Sequence, residues 1–184
     1  VFRLLFPFDE NLTRNDTPVA SPFVRERLEV IISGLKPGDG TTVDQFIGSL
    51  PEVRILLLKD AEFILQSDPA AKSLEEVIAI YPGFFAIYCY RIAHILNDLE
   101  VPLLPRMITE YAHKITGIDI HPGAEIGNPF SIDHGTGIVI GETTKVGNHV
   151  KIYQGVTLGA LSVDKSKASG KRHPTIEDNV ILYA

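Results

Sequence analysis

From Ile120 to Leu182 the chain returns an aliphatic residue every six positions. Ile120, Ile126, Ile132 and Ile138 form one set. After a slip of two residues, Ile140, Val146, Ile152 and Leu158 form a second, and Ile176 and Leu182 resume that phase three sixes later. A helix repeats at about 3.6 residues and a strand at about two, so neither alone explains the pattern. A short strand followed by a tight turn does, wound into a triangular coil of three such units with the aliphatic side chain inward. Such a solenoid is rigid, and it carries His121, His134, His149, His173 and several carboxylates in fixed register.

Residues 20–116 read instead as helices. Ser21-Pro22 is a start signal with Pro at the first helical position, and Phe23, Val24, Leu28, Ile31, Ile32 and Leu35 make an apolar stripe. Leu50-Pro51 opens a second helix through Val53, Leu57, Leu58, Ala61 and Leu65, ending near Gln66. Ser73 and Glu76 match a capping box and start a third, interrupted by Tyr81-Pro82-Gly83. A strongly apolar helix over 84–96 and a last one over 105–115 complete the set, and Gly117 marks the change of period. The expected division is therefore a helical part over 1–116 and a repeat part over 117–184. His94 and His113 fall on helices and read as packing or surface residues.

Charge and cysteine content narrow the function classes. The net charge is −6: residues 1–117 carry 16 acids and 11 bases, and residues 118–184 carry 7 acids and 6 bases. An acidic chain without a basic stripe speaks against nucleic-acid or anionic-membrane binding. The one local positive cluster is Lys165, Lys167, Lys171 and Arg172, with Lys151 nearby; it reads as a solvated loop or as a hold for a phosphate- or carboxylate-bearing substrate. A single cysteine, Cys89, excludes an intrachain disulfide and suits a reducing compartment. The apolar N-terminal stretch lacks the basic start and length of a signal peptide, and no run approaches the roughly twenty apolar residues of a membrane span. A cytoplasmic location is expected.

Two irregularities break the repeat: the slip over 136–142, and the gap over 160–171. Insertions in a solenoid emerge as loops on one face, often the binding face, and 161–171, rich in Ser, Lys and Gly, reads as one. The chain stops at Ala184, just past an inward aliphatic, so further coils are expected beyond it. Near these irregularities lie the chemical candidates. Asp119 and His134, in Asp-Ile-His-Pro and Asp-His-Gly, are placed for a carboxylate on one rung to fix the tautomer of a histidine on another, a general-base arrangement; satisfied turn histidines are the commoner alternative. Arg172-His173-Pro174 is either a loop anchor or a bidentate grip on a carboxylate. Glu142, at the slip, is a turn or a site residue.

The strings themselves are narrower. Asp119-Ile120-His121-Pro122, Asp133-His134-Gly135-Thr136-Gly137 running on to Gly141-Glu142-Thr143, Gln154-Gly155-Val156-Thr157-Leu158-Gly159, and Lys171-Arg172-His173-Pro174 closely resemble serine O-acetyltransferases. Asp68-Pro69-Ala70, Tyr81-Pro82-Gly83-Phe84 and Tyr90-Arg91-Ile92-Ala93-His94 are similar to that family's helical domain. The resemblance implies an α+β chain, with an N-terminal helical domain followed by a left-handed parallel β-helix whose last coils are absent here. It implies acetyl transfer from acetyl-CoA, a co-substrate rather than a bound cofactor, to the hydroxyl of L-serine, without a metal. His134 matches the general base and Asp119 its orienting partner. Asp68 and Asp133 match carboxylates that receive the ammonium, Arg172 with His173 the carboxylate grip, and Glu142 a further substrate-site position. CoA contacts are expected mostly in later coils. The family forms homotrimers, paired into hexamers, and many members dock O-acetylserine sulfhydrylase through a C-terminal tail. Ala160, where a second Gly is usual, and the long 161–171 loop depart from the pattern. Three alternatives stand beside this one: a hexapeptide acyltransferase with another acceptor, a zinc enzyme resembling the gamma carbonic anhydrases through His121, His134, His149 and His173, and a non-enzymatic solenoid scaffold.

Overall fold

In a computed structural model, residues 5–6, 22–37, 40–160 and 170–184 are described. Five helices come first among them: α1 (Pro22–Leu35), α2 (Thr42–Ser67), α3 (Leu74–Ile80), α4 (Pro82–Asp98) and α5 (Leu104–Thr116). Ser21, expected to precede α1, lies outside the described residues.

Helix α2 begins at Thr42, not at Leu50-Pro51, and runs through Pro51. An internal proline removes one helical hydrogen bond and commonly costs about 3 kcal/mol. Here Val43, Phe46 and Leu50 before it and Val53, Leu57, Ala61 and Ile64 after it bury one continuous stripe, which carries the helix across. Ser73 caps α3 as expected, its Oγ accepting from Glu76 N at 3.1 Å. The Glu76 carboxylate accepts from Lys72 N, one residue earlier than a capping box places it. Tyr81 is extended, and Pro82 rather than Phe84 is the first residue of α4. Gly83 allows that helix start to press on the sheet behind it, because a Cβ there would stand 2.3 Å from Ile132 O. Helix α5 closes on Gly117, whose φ of 72° is the left-handed cap conformation.

The period then changes, as the sequence indicates. Nine short strands follow among the described residues: β1 (Asp119–Ile120), β2 (Glu125–Ile126), β3 (Phe130–Asp133), β4 (Val139–Ile140), β5 (Lys145–Val146), β6 (Val150–Tyr153), β7 (Thr157–Leu158), β8 (Thr175–Ile176) and β9 (Ile181–Leu182). They form three parallel sheets, A (β1-β4-β7), B (β2-β5-β8) and C (β3-β6-β9), so each coil contributes one strand to each sheet. Ile120, Ile132, Ile138, Ile140, Val146, Ile152 and Leu158 fill the interior, each worth about 1.5–3 kcal/mol of burial. Both irregularities are visible in the register. Asp119 pairs with Val139, twenty residues on, so the slip lengthens the first coil by two; Val139 pairs with Thr157, eighteen on. Lys145 pairs with Thr175, thirty on, so twelve extra residues leave the coil between β7 and β8. Of these, residues 161–169 lie outside the described ones, Lys165 and Lys167 with them.

Sheet C docks on the helices through buried polar groups. Arg91 donates from Nε and Nη2 to the two oxygens of Asp60, at 2.5 and 3.0 Å, and both side chains are buried. Asp60 Oδ1 also accepts from Asn128 Nδ2 and Phe130 N, each at 2.8 Å, and Arg91 reaches Gly127 O. Tyr90 donates to Ala124 O, and His94 Nδ1 lies 2.7 Å from Pro122 O, so that nitrogen carries the proton. His94 is thus a packing residue, as expected. Together these bonds fix the helices to the first coil, and the Asp60–Phe130 bond reaches the strand that ends in Asp133.

Candidate active site

The edge where sheet C turns into sheet A carries one group of side chains. Asp133 is the last residue of β3, and His134 follows it in the turn with φ 56°, a left-handed conformation that histidine adopts more readily than most residues. His134 projects into solvent, its side chain 73% exposed, with Nε2 3.8 Å from Asp133 Oδ1. Asp68, just past the end of α2, faces the same open cleft of about 430 Å³, whose walls include Tyr81, Gly83, Asp133 and His134. Each Asp68 oxygen is held: Oδ1 accepts from Ala70 N and Oδ2 from Tyr81 OH, both at 2.8 Å. The Ala70 amide, joined by the Tyr81 bond and the Lys151 charge, holds the Asp68 carboxyl below its ordinary range in spite of some desolvation. Desolvation and the Asp68 carboxylate push the Tyr81 phenol up to about 12, so it stays a donor.

Lys151 supports Asp133 from below. Its Nζ stands 2.9 Å from Asp133 Oδ2, donates to Ser67 O at 2.9 Å, and lies 4.7 Å over the Tyr153 ring. Burial opposes its charge, but Asp133 and Tyr153 outweigh burial and hold the ammonium above its ordinary value. The fold separates Lys151 from the loop bases around Arg172. Lys151 sits in β6 on sheet C, whereas Lys171 and Arg172 lie just before β8 of sheet B.

A second group occupies the edge between sheets A and B, one residue set per coil: His121 after β1, Glu142 after β4, Arg172 and His173 before β8. Arg172 and Glu142 form an ion pair through Nη2 and Oε2, and that bond holds the Glu142 carboxyl below its ordinary value. Thr143 ties the returning chain down: its Oγ1 accepts from Arg172 N and His173 N, and its N–H donates to His173 Nδ1 at 3.0 Å. With Nδ1 accepting, the neutral His173 ring carries its proton on Nε2. Gly123 N donates likewise to His121 Nδ1. Burial, then Arg106, lowers His121 against the pull of Glu142 and Asp119; desolvation and Arg172 lower His173. Gly141 is required beneath His173, because a Cβ there would stand 2.1 Å from the imidazole. Arg172-His173-Pro174 is therefore a loop anchor through its backbone and a presented cation through its guanidinium.

The fold brings Asp68, Asp133 and His134 together and, separately, Glu142, Arg172 and His173. Asp119 does not bond to His134 within the chain: its neighbour on the next rung is Val139, and its charge acts on His121. His149 packs edge-on to Phe63, at another edge. Among the described residues no three His, Cys, Asp or Glu side chains converge as a metal site would require. Sequence reasoning missed Tyr81 and Thr143 as site residues, and gave Lys151 only as a neighbour of the loop bases. Tyr81 stood in a quoted motif, but nothing in its spacing shows its bond to Asp68. No single helix among the described residues is long and apolar enough to cross a membrane.

No protein-family model matches the chain. It is 50% identical over 123 residues to the serine acetyltransferase of Helicobacter pylori, covering 67% of this chain and 70% of that protein. It is also 50% identical over 144 residues to the plasmid serine acetyltransferase of Synechococcus elongatus, covering 76% of this chain and 45% of that protein. Among solved structures it is similar to Entamoeba histolytica serine acetyltransferase 1 in complex with L-cysteine, with a TM-score of 0.87 at 34% identity over 98% of this chain and 71% of that one. A serine acetyltransferase in complex with CoA matches with a TM-score of 0.67 at 32% identity over 76% of this chain and 56% of that one. The chain is α+β, and these structural neighbours share a hexapeptide-repeat β-helix. The chain belongs to the serine acetyltransferase family. It spans about half the length of the first curated relatives it matches, 45% and 51%.

Proposed function

We propose that the chain forms the acceptor-binding, base-bearing part of an enzyme that transfers acetyl from acetyl-CoA to L-serine, giving O-acetyl-L-serine and CoA for cysteine biosynthesis. The observation that carries this reading is the grouping of Asp68, Asp133 and His134 in one cleft. Two anchored carboxylates receive the ammonium, and an exposed imidazole beside them takes the proton of the serine hydroxyl. The freed oxygen attacks the thioester carbonyl; the C–O bond forms, the C–S bond breaks, and the imidazolium returns its proton to the leaving thiolate. A positioned base of this kind contributes about 10²–10⁴-fold. Arg172, presented by Thr143 and paired with Glu142, grips the serine carboxylate, with His173 Nε2–H beside it.

The two groups lie on different edges of the triangular coil, which supports an assembly in which one copy supplies the ammonium and base group and its neighbour the carboxylate grip. A homotrimer, with trimers paired through the helices of residues 1–116, satisfies this. The coil of residues 117–184 takes the left-handed sense of the family, and the protein works in the cytoplasm. Asp119 keeps its orienting role towards His134 in the assembled, acceptor-bound form, since catalytic hydrogen bonds commonly tighten only when substrate is present. The test is thiol release from acetyl-CoA with and without L-serine. Serine-dependent release that His134→Ala abolishes is expected. Release unchanged by His134→Ala removes His134 as base, and release only with other acceptors removes L-serine as substrate.

A further inference from the structure

We propose that Lys151 is a positioning residue for acceptor recognition: it anchors one oxygen of Asp133 and sets the paired carboxylates Asp68 and Asp133 to a net charge of −1, which one α-ammonium neutralises. This rests on the acceptor role given above to those two carboxylates. A lysine in a strand ordinarily points to water, yet this side chain is 6% exposed. Charge at that depth persists only with partners, and here they are Asp133 Oδ2, Ser67 O and the face of Tyr153. None of these is needed to close the coil. Ile152 fills the interior beside it, and backbone pairing joins β6 to β3 and β9.

Asp68, Tyr81, Asp133 and Lys151 line one small cavity beneath the cleft. Without Lys151, two like charges in one half-buried site repel, and one takes up a proton or turns to solvent. With it, Asp133 Oδ2 is fixed and Oδ1 is left towards the cleft and His134. Removing the cation also deepens the negative potential, which alone favours a bound ammonium. Loss of the anchor outweighs that gain, because a charge-assisted bond needs an oriented oxygen and part of any potential gain is screened at this open cleft.

The test compares wild type, Lys151→Met and Lys151→Gln in the full chain. The readouts are the KM values for L-serine and acetyl-CoA, and competitive inhibition by 3-hydroxypropanoate, the serine analogue without the amine. In Lys151→Met the KM for serine rises about tenfold, while the KM for acetyl-CoA and the inhibition constant stay within about twofold. Lys151→Gln keeps a donor to Asp133 without the charge and falls between; it carries the test if the Met variant loses its native circular dichroism. A serine KM within about twofold of wild type, or equal losses for serine and the amine-less analogue, overturns the role of Lys151 alone. A wild type that acetylates other acceptors but neither binds nor acetylates L-serine overturns the acceptor reading, and this inference with it.

Discussion

Tyr81 and Asp68 meet across the break between two helices: the phenol of the residue that separates α3 from α4 donates at 2.8 Å to a carboxylate at the end of α2. The Tyr-Pro-Gly string is built for this contact. Tyr81 is extended and ends α3, Pro82 starts α4, and Gly83 lets that start rest on Ile132 O. The same three residues thus place a donor on Asp68 and form a wall of the cleft.

Tyr81→Phe therefore raises the KM for L-serine with little change in the KM for acetyl-CoA. A hydrogen bond to a charged group contributes about 1.5–3 kcal/mol, and the contact is only partly buried, so about fivefold to tenfold is expected. Parallel steady-state titrations of the two substrates check it, and an equal rise in both sinks the assignment.

The pH dependence of serine use follows from the directions of the shifts. Asp68 and Glu142 are depressed from 3.8 and 4.5, so both are ionised above those values and lose charge only as the pH falls through lower ones. His121 and His173 are depressed from 6.5, so they stay neutral above it and take up protons only further down. Between about pH 5.5 and about pH 8 neither carboxylate changes charge. Asp68→Asn therefore lowers kcat/KM for serine at both ends of that window. A loss confined to one end shows that Asp68 titrates within it and refutes its fixed charge.

Arg172 and Glu142 act as a unit. Arg172→Ala raises the serine KM more than that for acetyl-CoA, and Arg172→Lys restores little, because a point charge cannot reproduce a planar bidentate grip. Glu142 holds the guanidinium, so its removal matters only while the guanidinium is there. Glu142→Gln alone weakens serine binding, and the double variant is no worse than Arg172→Ala. A double variant whose losses add shows that Glu142 touches substrate independently of Arg172.

The coil was legible because a period of six has few structural solutions; the pattern names seven buried residues but not Phe130 and Val150, which are also fully buried. Within one chain Val139 stands beside Asp119, so the Asp119–His134 pairing proposed above belongs to the assembled form. Proline chemistry misplaced the start of α2, where burial of Val43, Phe46 and Leu50 overrides Pro51. The sequence points to Lys151 only as a neighbour of the loop bases, because a strand lysine reads as solvent-facing; only the docked end of α2, with Ser67 O beneath it, reveals a buried one.

Asp60 is the firmest link between the helices and the strand that ends in Asp133, just before His134. Four donor contacts converge on its two oxygens, from Arg91 Nε and Nη2, Asn128 Nδ2 and Phe130 N. Asp60→Ala leaves Arg91 buried without its counter-charge, and breaking a buried pair in this way costs about 3–5 kcal/mol. Denaturant unfolding followed by circular dichroism is expected to show that loss. Asp60→Asn keeps the shape and part of the bonding and loses less. The double variant Asp60→Leu/Arg91→Met removes both charges and recovers much of the Asp60→Ala loss, because no buried charge is left unpaired. If Asp60→Ala unfolds within about 1 kcal/mol of wild type, the pair contributes little, and the helices are held to β3 by apolar contact alone.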